Sequence, residues 1–334
     1  QMAGEALYWY ARARKSTFEE VLPESLKRTA DYAECLLSLD PKYGLIPVAD
    51  APYGIYAPEK LALLAYIMPH SHWVTLFRQA WSHCSGITAD MLALLLEPKI
   101  PAEGPGLRSF LSMPDTGAVS SVRKWNDTYL KIFQCGGNSG ANHAHQDKGS
   151  FVIQAGRDTV AMDPGVGSYD DVIGSSLGKV HWHNMLIPIE DGALMEPDIT
   201  IGAKPQAEGN DTYFHSVMDL TPTWQKDYIL WRRTLYSKTA EVLEVKDEYA
   251  LRRGTGVAFC LITPLEVKVD GNQALLTGKD SQTIVTSNED CRMRTESVPA
   301  GGSRTLQRLW IESDHKQGVL KTIFRFSEST KGES

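Results

Sequence analysis

Apolar residues recur every three or four positions over residues 5–100 and at alternate positions further on, which predicts a helical part followed by a strand-rich part. Leu7, Tyr8, Tyr10 and Ala11 suit a helix over residues 5–14. Leu26, Ala30, Ala33 and Leu37 continue the helical period, with Pro23 suited to a first helical position. Asp40-Pro41-Lys42-Tyr43-Gly44 ends that run, and a loop over residues 45–56 carries Pro47, Asp50, Pro52 and Gly54. Pro58 opens a second helix that Pro69 stops, and Trp73, Phe77, Ala80 and Trp81 give a third its apolar face. Thr88 as N-cap predicts a fourth over residues 89–96, closed by Pro98. Helices of this length on short loops predict a bundle or toroid.

A joint rich in proline and glycine (Pro98, Pro101, Gly104, Pro105, Gly106) sets a domain boundary, with residues 1–105 helical and 106–330 built of strands. Residues 128–135 read as a strand, and 151–155 and 159–162 flank a hairpin turn at Gly156-Arg157-Asp158. Further strands are expected over 213–218, 228–236, 242–245, 257–262 and 319–326, and Asp270-Gly271 marks a tight turn between 267–269 and 274–276. Many short strands punctuated by turns predict a large antiparallel β-sandwich, so the fold class is α+β and multidomain.

Composition narrows the chemistry more than the fold. The 334 residues are 42% hydrophobic and 22% charged, as in globular proteins, and no run approaches the roughly 18 apolar residues of a membrane span. A net charge of −7 argues against general nucleic-acid binding, but a local basic cluster can still receive a polyanion. Five scattered cysteines form neither a CxxC pair nor a disulfide framework and read as buried thiols. The chain enters a helical pattern directly from Gln1, with no signal peptide, which points to a missing upstream part and leaves location unread from this end.

The densest chemistry lies in Asn142-His143-Ala144-His145-Gln146-Asp147, with later outposts at Asp163 and His183-Asn184; with His181, four of the nine histidines fall in this region. On extended backbone a His-x-His pair points both rings to one face, whereas in a loop they need not be parallel. His145, Asp163 and His183, separated by 18 and 20 residues, fall at strand or turn edges and with a water would complete a tetrahedral zinc site. Equally, the two histidines can be ordinary hydrogen-bonded residues and Asp163 a cap on the turn before Pro164-Gly165. If His145 binds metal, His143 would still be free to act as a base near neutrality, or it is a plain surface histidine. Tyr8, Tyr10 and Tyr169 are phenols within conceivable reach, Arg12 and Arg14 could meet a carboxylate, and Asp50 reads most simply as a turn residue. No GxSxG elbow, Walker A loop, HExxH helix or GxGxxG turn is present.

The order Asn142-His143-x-His145-x-Asp147-x-Gly149-Ser150-Phe151, then Met162-Asp163-Pro164-Gly165 and Tyr169, then His183-Asn184, resembles the heparinase II/III-like polysaccharide lyases. The resemblance covers roughly residues 110–190. The resemblance implies the C-terminal portion of an (α/α) toroid followed by a β-sandwich, and cleavage of uronic-acid glycans such as heparin, heparan sulfate or alginate by β-elimination. It implies His143 as catalytic histidine, with Tyr8 or Tyr10 as its acid–base partner and Tyr169 a further phenol. It implies a structural Zn2+ held by His145, Asp163 and His183. Asn142, Arg12 and Asn184 are the candidates for holding substrate. The family's carboxylate-neutralising Asn or His precedes the tyrosine and would lie upstream of Gln1. An anionic polysaccharide partner and a periplasmic or secreted bacterial location go with this reading, and a homodimer is compatible with it. The rivals are a non-catalytic carbohydrate-binding sandwich stapled by zinc, and a zinc hydrolase using metal-bound water.

Overall fold

The computed structural model describes residues 2–51, 54–84, 91–137, 143–167, 170–197 and 201–329. Two compact units emerge, Gln1–Ile46 with Gly54–Leu107, and Pro47–Tyr53 with Arg108–Ser334. The short segment 47–53 thus leaves its helical neighbours and joins the second unit. No helix among the described residues is long and apolar enough to cross a membrane.

The first unit contains α1 (Met2–Arg14), α2 (Phe18–Val21), α3 (Glu24–Leu36), α4 (Pro58–Ile67), α5 (His72–His83) and α6 (Met91–Leu96). Thr17 and Glu20 form a reciprocal capping box on α2, and the Ser71 hydroxyl caps α5, so local side chains satisfy the amides that helix starts leave open. Pro23 is the N-cap of α3, not its first helical residue. The apolar faces of α4 and α5 (Leu61, Ala62, Ala65; Val74, Phe77, Ala80) meet in one core with Ala93 and Leu96. The expected start of α6 at Thr88 lies outside the described residues. An (α/α) toroid is not evident among these helices, two of which have only 4 and 6 residues.

The second unit is antiparallel throughout its described strands. β1 (Phe110–Met113), β2 (Ala118–Trp125), β3 (Thr128–Cys135), β4 (Phe151–Ala155) and β5 (Asp158–Ala161) form a five-stranded meander. After α7 (Val172–Ser176) come β6 (Leu186–Glu190), β7 (Ala193–Leu194), β8 (Gln206–Gly209), β9 (Phe214–Asp219), β10 (Tyr228–Thr239), β11 (Val242–Leu251) and β12 (Gly256–Thr263). The remainder are β13 (Glu266–Asp270), β14 (Gln273–Thr277), β15 (Ser281–Ser287), β16 (Arg292–Pro299), β17 (Thr305–Ser313) and β18 (Gln317–Glu328). An eight-stranded sheet runs β13-β14-β15-β18-β11-β10-β9-β8, and a five-stranded sheet runs β16-β17-β12-β6-β7.

Burial along the strands follows the sequence. In β11 buried and partly exposed residues alternate at every position, as expected of a strand with one wet face. In β12, with Val257, Ala258, Phe259, Cys260, Leu261 and Ile262 in unbroken succession, every residue is buried, because both faces are covered. Charge also enters this core. Arg233 of β10 and Asp247 of β11 are fully buried, joined by paired contacts of 2.8 and 2.9 Å. Trp231 donates to the same carboxylate at 2.7 Å, and the guanidinium lies 5.3–5.5 Å from the rings of Trp231, Phe151 and Phe259. Its remaining donor capacity goes to Gly149 O at 2.9 Å and Asn184 O at 2.7 Å.

Removing one partner from such a pair leaves an uncompensated buried charge, so Asp247→Ala should cost about 3–5 kcal/mol of stability. Denaturant unfolding measures this, and a loss below about 1 kcal/mol would show that the pair behaves as a solvated surface bridge.

Candidate active site

Three chain segments converge at one end of β3, β4 and β5, and the sequence explains why each stops being strand there. β3 ends at Cys135 and β4 begins at Phe151, and the intervening loop carries His143, His145, Asp147 and Lys148. Past β5, Met162 N still pairs with Ile262 O of β12 at 2.9 Å, after which Asp163-Pro164-Gly165 turns away. A single turn of helix over Val180–Trp182 then delivers His183 and Asn184 to the start of β6. The His-x-His pair therefore lies in a loop, not on a strand. His143 takes a left-handed backbone (φ 56°) and is exposed, while His145 is buried.

The loop is pinned from inside. Lys148, itself buried, donates to Asp147 Oδ1 at 2.8 Å and to His145 O at 3.2 Å. Gln146 accepts from Val180 N at 2.8 Å and donates to Glu196 at 3.0 Å, while its own amide donates to Gly178 O. Gly178 lies so close to the His145 ring that an added Cβ would stand 3.1 Å from Cδ2, so a larger residue would displace the imidazole.

His183 lies beside both His145 and Asp163. The two rings lie 5.5 Å apart between centroids, and His183 Nδ1 is 3.2 Å from Asp163 Oδ2 at an angle that makes no hydrogen bond. Asp163 Oδ1 accepts from Gly165 N at 2.9 Å, so the residue caps its turn with one oxygen and faces His183 with the other. His145 Nδ1 and both ring nitrogens of His183 are buried without a hydrogen-bond partner. Burial works against a charged His183, yet the neighbouring Asp163 outweighs it and raises the imidazole pKa above its ordinary value. A field that favours a proton there also favours a metal cation. The 3.2 Å separation is close to the roughly 3.3 Å between two donors on one tetrahedral zinc. The residues thus fit zinc in type and in their unpartnered nitrogens. Among the described residues, however, no three His, Cys, Asp or Glu side chains stand close enough together to enclose an ion as they are.

The residue that sequence reasoning missed is Asp50. It is in contact with His143 Nδ1 through Oδ2, and its Oδ1 is 3.0 Å from His145 Nε2. The only signal in the sequence was an acidic residue in a loop framed by Pro47 and Pro52, a pattern shared with any ordinary turn.

Asn184, expected to hold substrate, does something else. It is fully buried, its amide donates to Phe151 O at 2.6 Å and Met162 O at 3.1 Å, and its oxygen accepts from Ile262 N at 2.8 Å. It therefore clips β4 and the end of β5 to β12 and has no polar atom left for a ligand. Asn142 and Tyr169 lie outside the described residues. Tyr8, Tyr10 and Arg12 belong to α1 of the helical unit. There Arg12 donates to the Tyr8 hydroxyl at 3.4 Å, and Arg14 to that of Tyr10 at 2.9 Å.

With this geometry in hand, comparison with solved structures is decisive for the fold. A mutant of heparan sulfate lyase HepC from Pedobacter heparinus superposes with a TM-score of 0.72 at 15% identity, covering 99% of this chain and 52% of the other. The chain shares its fold with this lyase. A heparinase III structure gives 0.68 at 14% identity, over 97% of this chain and 52% of the other. The chain therefore spans about half the length of these structures. No protein-family model and no curated protein matches the sequence. The likeness to heparinase III is one of fold, carried by the arrangement of strands and helices and not by overall sequence.

Asn184→Ala would strip three hydrogen bonds from buried backbone groups and should cost about 2–4 kcal/mol, read as a lower denaturation midpoint. An unchanged midpoint would return Asn184 to the list of substrate contacts.

Proposed function

We propose that the protein is a polysaccharide lyase that cleaves uronic-acid-containing glycans, of the heparin, heparan sulfate or alginate kind, by β-elimination. The observation that carries the reading is an exposed histidine, His143, oriented by a carboxylate on a loop of a sandwich that has the heparinase III fold. The C5 proton of a uronate is weakly acidic, so elimination needs a base for that proton and an acid for the departing O4. As the base removes the proton, the C5–H electron pair becomes the C4=C5 double bond while the C4–O4 bond breaks, and O4 takes a proton.

In this reading His143 Nε2, on the open side of the ring, exchanges the proton, and Tyr8 or Tyr10 is its partner. Each phenol has an arginine one helical turn on that donates to its hydroxyl. The helices that carry them would then be the closing part of a toroid. His145, Asp163 and His183 would hold a structural zinc, whose charge would balance the buried Asp163 and brace the loop that carries His143. Substrates of this class are met outside the cytoplasm, which agrees with a periplasmic or secreted location.

The test combines product and metal. With heparin, heparan sulfate and alginate as probes, the expected product is unsaturated and absorbs in the ultraviolet. His143→Ala should slow its formation by about 10²–10⁴-fold while leaving fold and metal content intact. Elemental analysis should find about one zinc per chain, lost in His145→Ala. Saturated products would overturn elimination in favour of hydrolysis. Uronan binding with no product, indifferent to His143→Ala, would make the chain a carbohydrate-binding module.

A further inference from the structure

Resting on that reading, we infer that Asp50 is the positioning residue of the active site, a single carboxylate that sets both the ring orientation of His143 and that of His145. An ionised carboxylate can only accept hydrogen bonds, so the ring nitrogens facing it must carry the protons. His143 then holds its proton on Nδ1, against Asp50 Oδ2, and presents an unprotonated Nε2 on a side chain that is 74% exposed. His145 holds its proton on Nε2, 3.0 Å from Asp50 Oδ1, and turns the unprotonated Nδ1 inward, where that nitrogen is buried without a partner. One side chain thus leaves a basic nitrogen open to substrate and another open to the interior. After proton abstraction the same carboxylate lies against the imidazolium that His143 has become, which stabilises it.

The bland alternative is a surface ion pair formed because the loops happen to meet, which would contribute about 0–1 kcal/mol. Backbone geometry argues otherwise. Ala49, next to Asp50, has φ 51° and His143 has φ 56°, so a non-glycine residue in the left-handed region supports the contact from each side. Such conformations cost of order 1 kcal/mol or more each and persist where surrounding structure over-determines them. The over-determination is visible here. Ala51 N donates to Val48 O, and Val166 N donates to Ala51 O at 3.2 Å. Gly165, at φ 65°, lies so close to this loop that a Cβ would stand 2.7 Å from Ala51 O and 2.8 Å from Pro47 Cβ. The turn that carries Asp163 is therefore also the seat of the loop that carries Asp50. This accounts for segment 47–53 belonging to the sandwich unit although helices flank it in sequence.

The experiment reads tautomers first and activity second. In the intact chain, nitrogen-15 NMR of the imidazoles, at a pH where the His143 ring is neutral, should show His143 protonated at Nδ1. Asp50→Asn should abolish that preference and weaken zinc binding by about 10–100-fold, because the ring of His145 loses the carboxylate that orients it, while the chain stays folded. Where the wild-type chain forms unsaturated product, Asp50→Asn should lower kcat by about 10²–10⁴-fold with KM changed less than about threefold, and Asp50→Glu should restore part of it. A His143 tautomer indifferent to Asp50→Asn would overturn the assignment. Zinc affinity unchanged in Asp50→Asn would overturn the part of the assignment that concerns His145. Because the tautomer is read without substrate, a chain that forms no unsaturated product would sink the lyase reading and leave the positioning role to be judged separately.

Discussion

The buried Arg233–Asp247 pair is the constraint on which the site depends. A guanidinium in an aromatic core needs a partner at each of its nitrogens, because a nitrogen with none there carries the full cost of desolvation. Asp247 answers Nε and Nη2, and Nη1 is answered by the carbonyls of Gly149 and Asn184. Those carbonyls close the His143–Asp147 loop on one side and follow His183 on the other. The charge pair in the eight-stranded sheet thus fixes the spacing between the two segments that bring the histidines together. Its worth lies more in that geometry than in net stability, since a well-packed apolar substitute could be as stable.

The same pair explains where the sequence was hard to read. Strand β11 continues to Leu251, yet alternation read from residue 242 stops at Val245 because Asp247 falls at an inward position. Nothing local shows that Arg233, on the neighbouring strand, meets it there. The uninterrupted apolar stretch of β12 and the turn-bounded β3 and β4 were legible for the opposite reason, since their burial follows from their own residues. His145, Asp163 and His183 could be grouped because each stands beside a strand end, and strand ends of one sheet edge converge. Asp50 could not. Its role depends on a seven-residue segment leaving one unit for the other, and that choice is made by Gly165 and Val166 more than a hundred positions away. Asn184 misled for a related reason. An asparagine beside a histidine motif offers the same donors to a ligand or to backbone, and only the junction of β4, β5 and β12 decides between them.

If the proposed anionic glycan is the substrate, its site faces a further difficulty, since the surrounding loops are acidic and the chain as a whole carries a net charge of −7. Long-range steering by the whole protein would be repulsive, although exposed charges beyond about 10 Å are largely screened at moderate salt. What governs binding is therefore the local balance. Asp147 is matched by Lys148 at 2.8 Å, Asp163 faces His183 at 3.2 Å, and Asp50 is shared by His143 and His145. Each of these three carboxylates thus has a lysine or histidine beside it. On the proposed reading, a uronate approaching His143 would meet an imidazole edge whose neighbouring carboxylate is engaged by two rings. Were Asp50 rotated outward, the same residue would repel the substrate's carboxylate and leave the ring free to present either nitrogen. If the proposed reading holds, the direction in which Asp50 points decides both whether the anion is admitted and which nitrogen meets it.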